Sequence, residues 1–119
     1  MIAYASRTGN VRYIVSKIEA ESIEIQEDLQ IDEPYLLVTY TDGFGDIPMK
    51  VSRFLEQNEA HCKGVVVSGN SNFGPSNFGG AGDKIAAKYQ IPLVRKLDLR
   101  GYQADYEAIQ QFYETRVLV

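Results

Sequence analysis

The chain has 119 residues, 45% of them hydrophobic and 24% charged, which is the composition of one globular domain over residues 1–119 and excludes a disordered or fibrous protein. Its net charge of −4 and its scattered basic residues argue against nucleic acid as the main partner, since phosphate backbones are held by clustered Lys and Arg. Cys62 is the single cysteine and no apolar run approaches the length of a bilayer span, so we expect a cytoplasmic protein without a disulfide or a membrane partner.

The chain opens on a short apolar strand at residues 1–5, a polar turn at residues 6–10 and an amphipathic helix at residues 11–20. The Ser, Thr and Asn side chains of the turn can donate to phosphate oxygens, and Gly9 lets the backbone approach a ligand closely. The first free N–H groups of the helix, at its positive dipole end, also point into this turn. An ordinary helix N-cap at Thr8 or Asn10 explains the same residues equally well.

Three strands are predicted next, at residues 22–25, 35–40 and 65–68. The first strand alternates apolar and polar residues, as an edge strand does. The other two are almost continuously apolar, as in a parallel sheet covered by helices. A loop with two glycines around one aromatic residue follows Tyr40, and Pro48 suits the start of the helix that comes after it.

The loop at residues 69–82 contains five glycines and has the most unusual composition in the chain. Loops of this length are uncommon unless they are functional or disordered. A helix at residues 83–89, an edge strand at 93–99 and a helix from about Gln103 complete the prediction. We expect the tyrosines of the last segment to be packing residues, namely Tyr102, Tyr106 and Tyr113.

Five strands alternating with four helices predict a doubly wound α/β sheet. In such sheets ligands bind at the carboxyl ends of the strands. The loops at residues 6–10, 41–46 and 69–80 all follow strands at that end, which places the functional site there. His61 and Cys62 lie at the other end and provide too few ligands for zinc, so we predict neither a metal site nor a catalytic set of side chains.

A flat ring with a phosphate tail would use all three loops, and flavin mononucleotide (FMN) is the natural candidate. Its N5 atom changes from acceptor to donor on reduction, and a rotating peptide at residues 43–45 can match either state. These glycines can alternatively form only a tight turn, and Phe44 and Phe78 can be core residues.

Residues 6–10, Ser-Arg-Thr-Gly-Asn, resemble the flavodoxin phosphate loop [ST]-x-T-G-N-T, with Val11 in place of the last hydroxyl residue. Together with Thr-Tyr-Thr-Asp-Gly-Phe-Gly-Asp-Ile-Pro at 39–48 and Ser-Gly-Asn-Ser-Asn-Phe-Gly at 68–74, this loop is similar to the NrdI family of small flavoproteins. The resemblance implies a flavodoxin-like fold with a five-stranded parallel sheet in the order 2-1-3-4-5 and helices on both faces. The cofactor-binding residues that we predict on this basis are Ser6, Arg7, Thr8, Gly9, Asn10, Val11, Tyr40, Thr41, Asp42, Gly43, Phe44, Gly45, Gly69, Asn70, Asn72, Phe73, Phe78, Gly79 and Gly80.

The resemblance further implies a redox accessory protein that holds FMN and docks on the small, dimetal subunit of class Ib ribonucleotide reductase. Reduced by an unidentified flavin reductant, it would react with dioxygen and deliver electrons or a superoxide-level oxidant to a dimanganese site, where the tyrosyl radical forms. A general low-potential electron carrier of the same fold is one alternative. A cofactor-free, phosphate-binding regulatory domain is another, although residues 1–6 lack the carboxylates that a receiver domain needs.

Overall fold

Five parallel strands form the centre of the computed structural model, which describes residues 1–118. The strands are β1 (Ile2–Tyr4), β2 (Ser22–Glu24), β3 (Tyr35–Tyr40), β4 (Cys62–Gly69) and β5 (Leu93–Asp98). The helices are α1 (Asn10–Ser16), α2 (Met49–Asn58), α3 (Gly80–Tyr89) and α4 (Gln103–Phe112). The strand order is β2-β1-β3-β4-β5 and every pairing is parallel, so the predicted fold class and order are confirmed.

The sheet buries both of its faces because side chains alternate along each strand. On one face, Leu36 and Val38 pack with α1 and α4, and on the other face Tyr35 and Leu37 pack with α2 and α3. This double burial explains why residues 35–40 are almost entirely apolar. The central strands β3 and β4 are thus covered on both faces, whereas the edge strands β2 and β5 stay partly exposed.

Helix α1 ends at Ser16, so the prediction of a helix up to Ala20 is wrong at its end. The side chain of Gln110 on α4 accepts the N–H of Glu19 at 2.8 Å and donates to the Glu19 carbonyl at 3.3 Å. These bonds satisfy backbone groups that a longer helix would have used internally. A contact with a distant part of the chain therefore ends the helix.

Helix α3 begins at Gly80, three residues before the predicted start at Asp83. Glycine destabilises a helix relative to alanine, so glycines at the start of α3 need a reason. The reason is space, because a Cβ on Gly82 would lie 2.7 Å from a Val67 methyl group and 2.9 Å from a Leu93 methyl group. The helix therefore approaches the sheet at a distance that only glycine permits.

The tyrosines of the last segment differ in exposure. Tyr106 and Tyr113 are buried, as predicted, whereas Tyr102 is 71% exposed, so its predicted role in packing is wrong. Tyr102 directly precedes α4, and its N–H donates to Asp105 while its ring points away from the protein. Val117 is buried, Leu118 is exposed, and Val119 lies outside the described residues. None of the helices in residues 1–118 combines the length and apolar character needed to cross a bilayer.

Candidate functional site

A cavity of about 210 Å³ opens at the carboxyl edge of the sheet, and we call it the rim cavity. Four chain segments contribute to it, at the ends of β1, β3, β4 and β5. Its lining residues are Arg7, Thr8, Asn10, Tyr40, Thr41, Gly43, Ser68, Gly69, Asn70, Phe73, Asn77 and Leu99. The three loops singled out in the sequence therefore meet around one cavity.

Residues 6–11 connect β1 to α1 and form the first loop. Within residues 1–118, the backbone N–H groups of this loop donate to no other protein atom. The Ser6 hydroxyl oxygen accepts the N–H of Arg12 at 3.3 Å, and Gly9 turns the chain at φ 94°. The Val11 side chain is buried in the core, so only its N–H is available to a ligand. Consecutive free N–H groups of this kind suit an anion.

Residues 41–46 form the second loop, a turn closed by its own backbone. The Asp42 N–H donates to the Asp46 carbonyl at 2.8 Å, and the Asp46 N–H donates back at 2.7 Å. Gly43 and Gly45 adopt positive φ angles of 49° and 113°. Within residues 1–118, the Gly43 carbonyl and the Phe44 N–H form no hydrogen bond. No partner therefore fixes the orientation of the peptide between them.

An ion pair joins the first loop to the second. The Arg7 Nη1 atom lies 2.8 Å from the Asp42 Oδ1 atom, and the Arg7 guanidinium carbon lies 5.0 Å from the centre of the Tyr40 ring. Among residues 1–118, Arg7 is also the one charged residue that lines the rim cavity. The cavity wall is therefore weakly cationic, and the neighbouring carboxylate is neutralised.

Two more carboxylates near this edge are neutralised in the same way. Asp46 accepts from Lys84 at 3.0 Å, and Asp83 accepts from Lys96 at 2.6 Å. Asp42, Asp46 and Asp83 therefore each have a cationic partner. These three carboxylates thus add little net negative charge to the edge.

Residues 69–80 form the third loop, which contains a short 3₁₀ turn at Ser71–Phe73. The Phe73 ring meets the Phe44 ring edge to face, with 5.7 Å between ring centres. Phe44 is 73% exposed and Phe73 is 49% exposed, so Phe44 is not the core residue that one interpretation of the sequence allowed. Phe78 is half-buried.

Asp98, at the end of β5, anchors the third loop. Its carboxylate accepts the Ser71 N–H at 3.0 Å and the Ser71 hydroxyl at 2.7 Å. These hydrogen bonds hold the pKa of Asp98 below its usual value, because they stabilise the charged form.

The turn after β5 is the part of the site that sequence reasoning missed. Leu99 lines the rim cavity, donates its N–H to the Gly69 carbonyl at 2.7 Å and accepts the Ser68 hydroxyl at 2.6 Å. It does so in a left-handed conformation, with φ 57°. Its position at the carboxyl end of a strand was the available signal, but the turn lacks the glycine-rich composition of the other loops.

Several predicted glycines shape the wall of the cavity because they let segments of backbone approach closely. A Cβ on Gly80 would lie 2.9 Å from the Gly45 Cα, and a Cβ on Gly69 would lie 2.8 Å from the Gly79 nitrogen. The backbones of the second and third loops therefore touch. Asn72 is exposed and donates its N–H to the Asn70 side chain at 2.9 Å.

Comparison with known proteins identifies the family. A family model described as NrdI Flavodoxin like matches residues 2–111. This chain belongs to the NrdI family.

Several NrdI relatives align with most of the chain. The SPbeta prophage-derived protein NrdI of Bacillus subtilis (strain 168) is 40% identical over 114 residues, which is 92% of this chain and 88% of the relative. Protein NrdI of Bacillus licheniformis is 38% identical, over 95% of this chain and 86% of the relative. Protein NrdI of Macrococcus caseolyticus is 40% identical over 106 residues, which is 88% of this chain and 81% of the relative.

A solved structure supports the fold of this NrdI family member. A short-chain flavodoxin associated with a non-canonical PDU bacterial microcompartment superimposes with a TM-score of 0.64, over 95% of this chain and 92% of that chain. At 20% identity the similarity shows a shared fold.

Exposed apolar side chains lie around the rim cavity of this NrdI family member. Phe73 and Leu99 are exposed and line the cavity, and the exposed ring of Phe44 packs against Phe73. Exposed apolar residues grouped around a cavity are typical of a binding surface.

A larger groove, of about 810 Å³, lies between residues 25–29 and α2. Acidic and basic side chains line it together, including Glu27, Asp28, Lys50 and Arg53. Its lining contains none of the glycines that the three predicted loops bring to the carboxyl edge. We therefore assign the candidate site to the smaller rim cavity.

Proposed function

We propose that this chain binds FMN at the rim cavity and acts as a redox accessory protein for the dimetal small subunit of class Ib ribonucleotide reductase. The observation that carries the proposal is the run of free N–H groups at residues 6–11 beside a cavity lined by Tyr40 and Phe73, in a chain of the NrdI family. Free amides and hydroxyl groups suit the phosphate, and aromatic side chains suit the ring.

The second loop supports the same ligand. The peptide between Gly43 and Phe44 has no internal partner, so it can turn either its carbonyl or its N–H toward a ligand nitrogen. The rim cavity is smaller than the roughly 300 Å³ of most small-molecule pockets. We therefore expect the second and third loops to separate at the Phe44–Phe73 contact when the ring enters.

When bound, the flavin supplies the electrons that reduce dioxygen to a superoxide-level oxidant for the dimanganese site. The residues of this chain position the ring, neutralise the Asp42 carboxylate beside it through the Arg7–Asp42 pair, and present the exposed rings of Phe44 and Phe73 to the partner. The expected partners are accordingly the reductase small subunit, a flavin reductant and dioxygen.

Two measurements test the proposal. Protein purified without added cofactor should be yellow or become yellow on mixing with FMN; a colourless protein would favour the cofactor-free regulatory domain. The reduced, flavin-loaded protein should then generate a tyrosyl radical, detected by electron paramagnetic resonance, in manganese-loaded small subunit exposed to air. Bound flavin without radical formation, together with electron transfer to several unrelated acceptors, would favour the general electron carrier.

A further inference from the structure

Arg100 reaches across the rim from the turn between β5 and α4 to the first loop. Its Nε atom donates to the Asn10 side-chain oxygen at 3.3 Å, and its guanidinium carbon lies 4.5 Å from the centre of the Tyr13 ring. Both contacts are made to α1. No motif in the sequence points to this contact.

Arg100 differs from the other cations at this edge because it has no carboxylate partner among residues 1–118. Arg7 pairs with Asp42 and Arg12 pairs with Glu24. Within the same residues, the terminal nitrogens of Arg100 donate no hydrogen bond. In a chain with a net charge of −4, this guanidinium therefore remains available to an anion.

The turn that carries Arg100 is held from several sides. The Arg100 carbonyl accepts the Tyr106 hydroxyl at 2.6 Å, and the Gly101 N–H donates to the Asp98 carbonyl at 2.9 Å. The neighbouring Leu99 is tied to Gly69 by its N–H. The backbone is thus fixed by these bonds and the side chain by the Tyr13 ring, which lowers the entropic cost of binding.

Asn10 is the point at which Arg100 and the rim cavity meet. Its side-chain oxygen accepts the hydrogen bond from Arg100. The side-chain NH₂ group of Asn10 is therefore the end of the amide that can donate to a ligand. Asn10 lines the rim cavity and lies in the run of free N–H groups. The next residue, Val11, adds no hydroxyl because its side chain is buried.

We propose that Arg100 is a phosphate-recognition residue, which orients the Asn10 amide and contacts the phosphomonoester of the bound ligand. The inference rests on the proposed function and adds a specificity determinant to it: Arg100 distinguishes phosphorylated from unphosphorylated flavin. A planar guanidinium can bond two phosphate oxygens at once, whereas an ammonium group acts as a point charge.

The test compares the dissociation constants of FMN and riboflavin, measured by quenching of flavin fluorescence. Arg100→Gln should weaken FMN binding by roughly tenfold to a hundredfold, the range for losing hydrogen bonds to a charged group, and leave riboflavin binding unchanged. The FMN dissociation constant of Arg100→Lys should lie between those of the wild type and Arg100→Gln. Arg12→Gln is the matched control, because Arg12 is on α1 but its side chain pairs with Glu24, and both affinities should stay at wild-type values.

The outcomes separate this inference from the proposed function. Equal losses of FMN and riboflavin affinity in Arg100→Gln, or no loss, would overturn the role of Arg100 while leaving the flavin site intact. A wild-type protein that binds neither flavin would overturn the proposed function itself. Urea unfolding of each variant checks that the exposed substitutions leave the fold intact.

Discussion

The guanidinium of Arg7 and the carboxylate of Asp42 lie 2.8 Å apart and join the first loop to the second. The Asp42 Oδ1 atom that accepts from Arg7 also accepts the N–H of Gly43 at 3.1 Å. One carboxylate oxygen thus links the first loop to the glycine turn of the second loop. The charge balance at the site depends on this pair.

Changing either partner should shift the second one-electron reduction potential of the bound flavin. Asp42→Asn leaves Arg7 unpaired and should raise the potential, because the cation stabilises the anionic reduced form. Arg7→Gln leaves the Asp42 carboxylate unpaired and should lower the potential, because this anion disfavours the anionic reduced form. Each shift should correspond to about 1 kcal/mol or less, since both side chains are about half exposed and screened by water. Potentiometric titration measures both.

Lys50→Gln is the control for these titrations, because Lys50 is exposed on α2 and lines the other groove. In this variant the second one-electron reduction potential of the bound flavin should equal that of the wild-type protein. Shifts of the same sign in Asp42→Asn and Arg7→Gln would contradict the electrostatic account. In the wild-type protein the two reduction steps should lie close together, and a wide gap would count against a site with neutralised carboxylates.

Gly80→Ala should destabilise the protein by about 1–3 kcal/mol through overpacking. Its Cβ would lie 2.9 Å from the Gly45 Cα and 3.0 Å from the Gly45 carbonyl oxygen, so the second loop would have to move. Gly9→Ala is the informative contrast, because nothing lies within 4 Å of its Cβ and only its φ of 94° opposes alanine. That strain should cost about 1–2 kcal/mol.

Urea unfolding gives both free energies, and only Gly80→Ala should also change the environment of Phe44. A Gly80→Ala variant within about 0.5 kcal/mol of wild type would show that the backbones of the two loops separate easily.

Phe44→Ala and Phe73→Ala should weaken binding of the flavin-loaded protein to the reductase small subunit. Both rings are exposed at the rim, so their removal should change the free energy of unfolding by less than about 0.5 kcal/mol while costing more than about 1 kcal/mol in binding. Titration calorimetry on samples matched for flavin content measures the affinity. Leu118→Ala, an equally apolar and exposed site in another part of the chain, should bind like wild type. Equal losses in all three variants would contradict docking at the rim.

Stability should fall at alkaline pH because of Cys62. Burial raises the pKa of its thiol from 9.0 to about 11. The neutral thiol is favoured in the folded state, so its contribution is complete below pH 9.0 and is lost as the pH rises toward about 11. The loss is at most about 2–3 kcal/mol at 1.36 kcal/mol per pKa unit.

Urea midpoints between pH 8 and pH 10.5 should therefore decline, and decline less in Cys62→Ala. Burial also raises the pKa of Tyr35, so ionisation of Tyr35 should destabilise the folded state at alkaline pH as well. The urea midpoint of Cys62→Ala should therefore still decline with pH, but less steeply than that of the wild type. An unchanged slope in this variant would show that the thiol is not the group responsible.

Much of the fold followed from the sequence because its signals are local. The apolar run at residues 35–40 predicts a strand buried on both faces, and the structure places it in the middle of the sheet. The loops at residues 6–10, 41–46 and 69–80 were predicted to share one edge, since parallel strands present their carboxyl ends together. Periodicity and turn residues are sufficient for such predictions.

The tertiary structure decided the features that depend on distant residues. Gln110 ends α1, close contacts with Gly45 and Val67 require the glycines at the start of α3, and the turn at Leu99 completes the rim cavity. None of these has a local sequence signal, because each depends on groups brought together only when the sheet forms. The sequence by itself determined which loops meet at one edge of the sheet, and packing determined their spacing, their charge pairing and the fourth segment beside them.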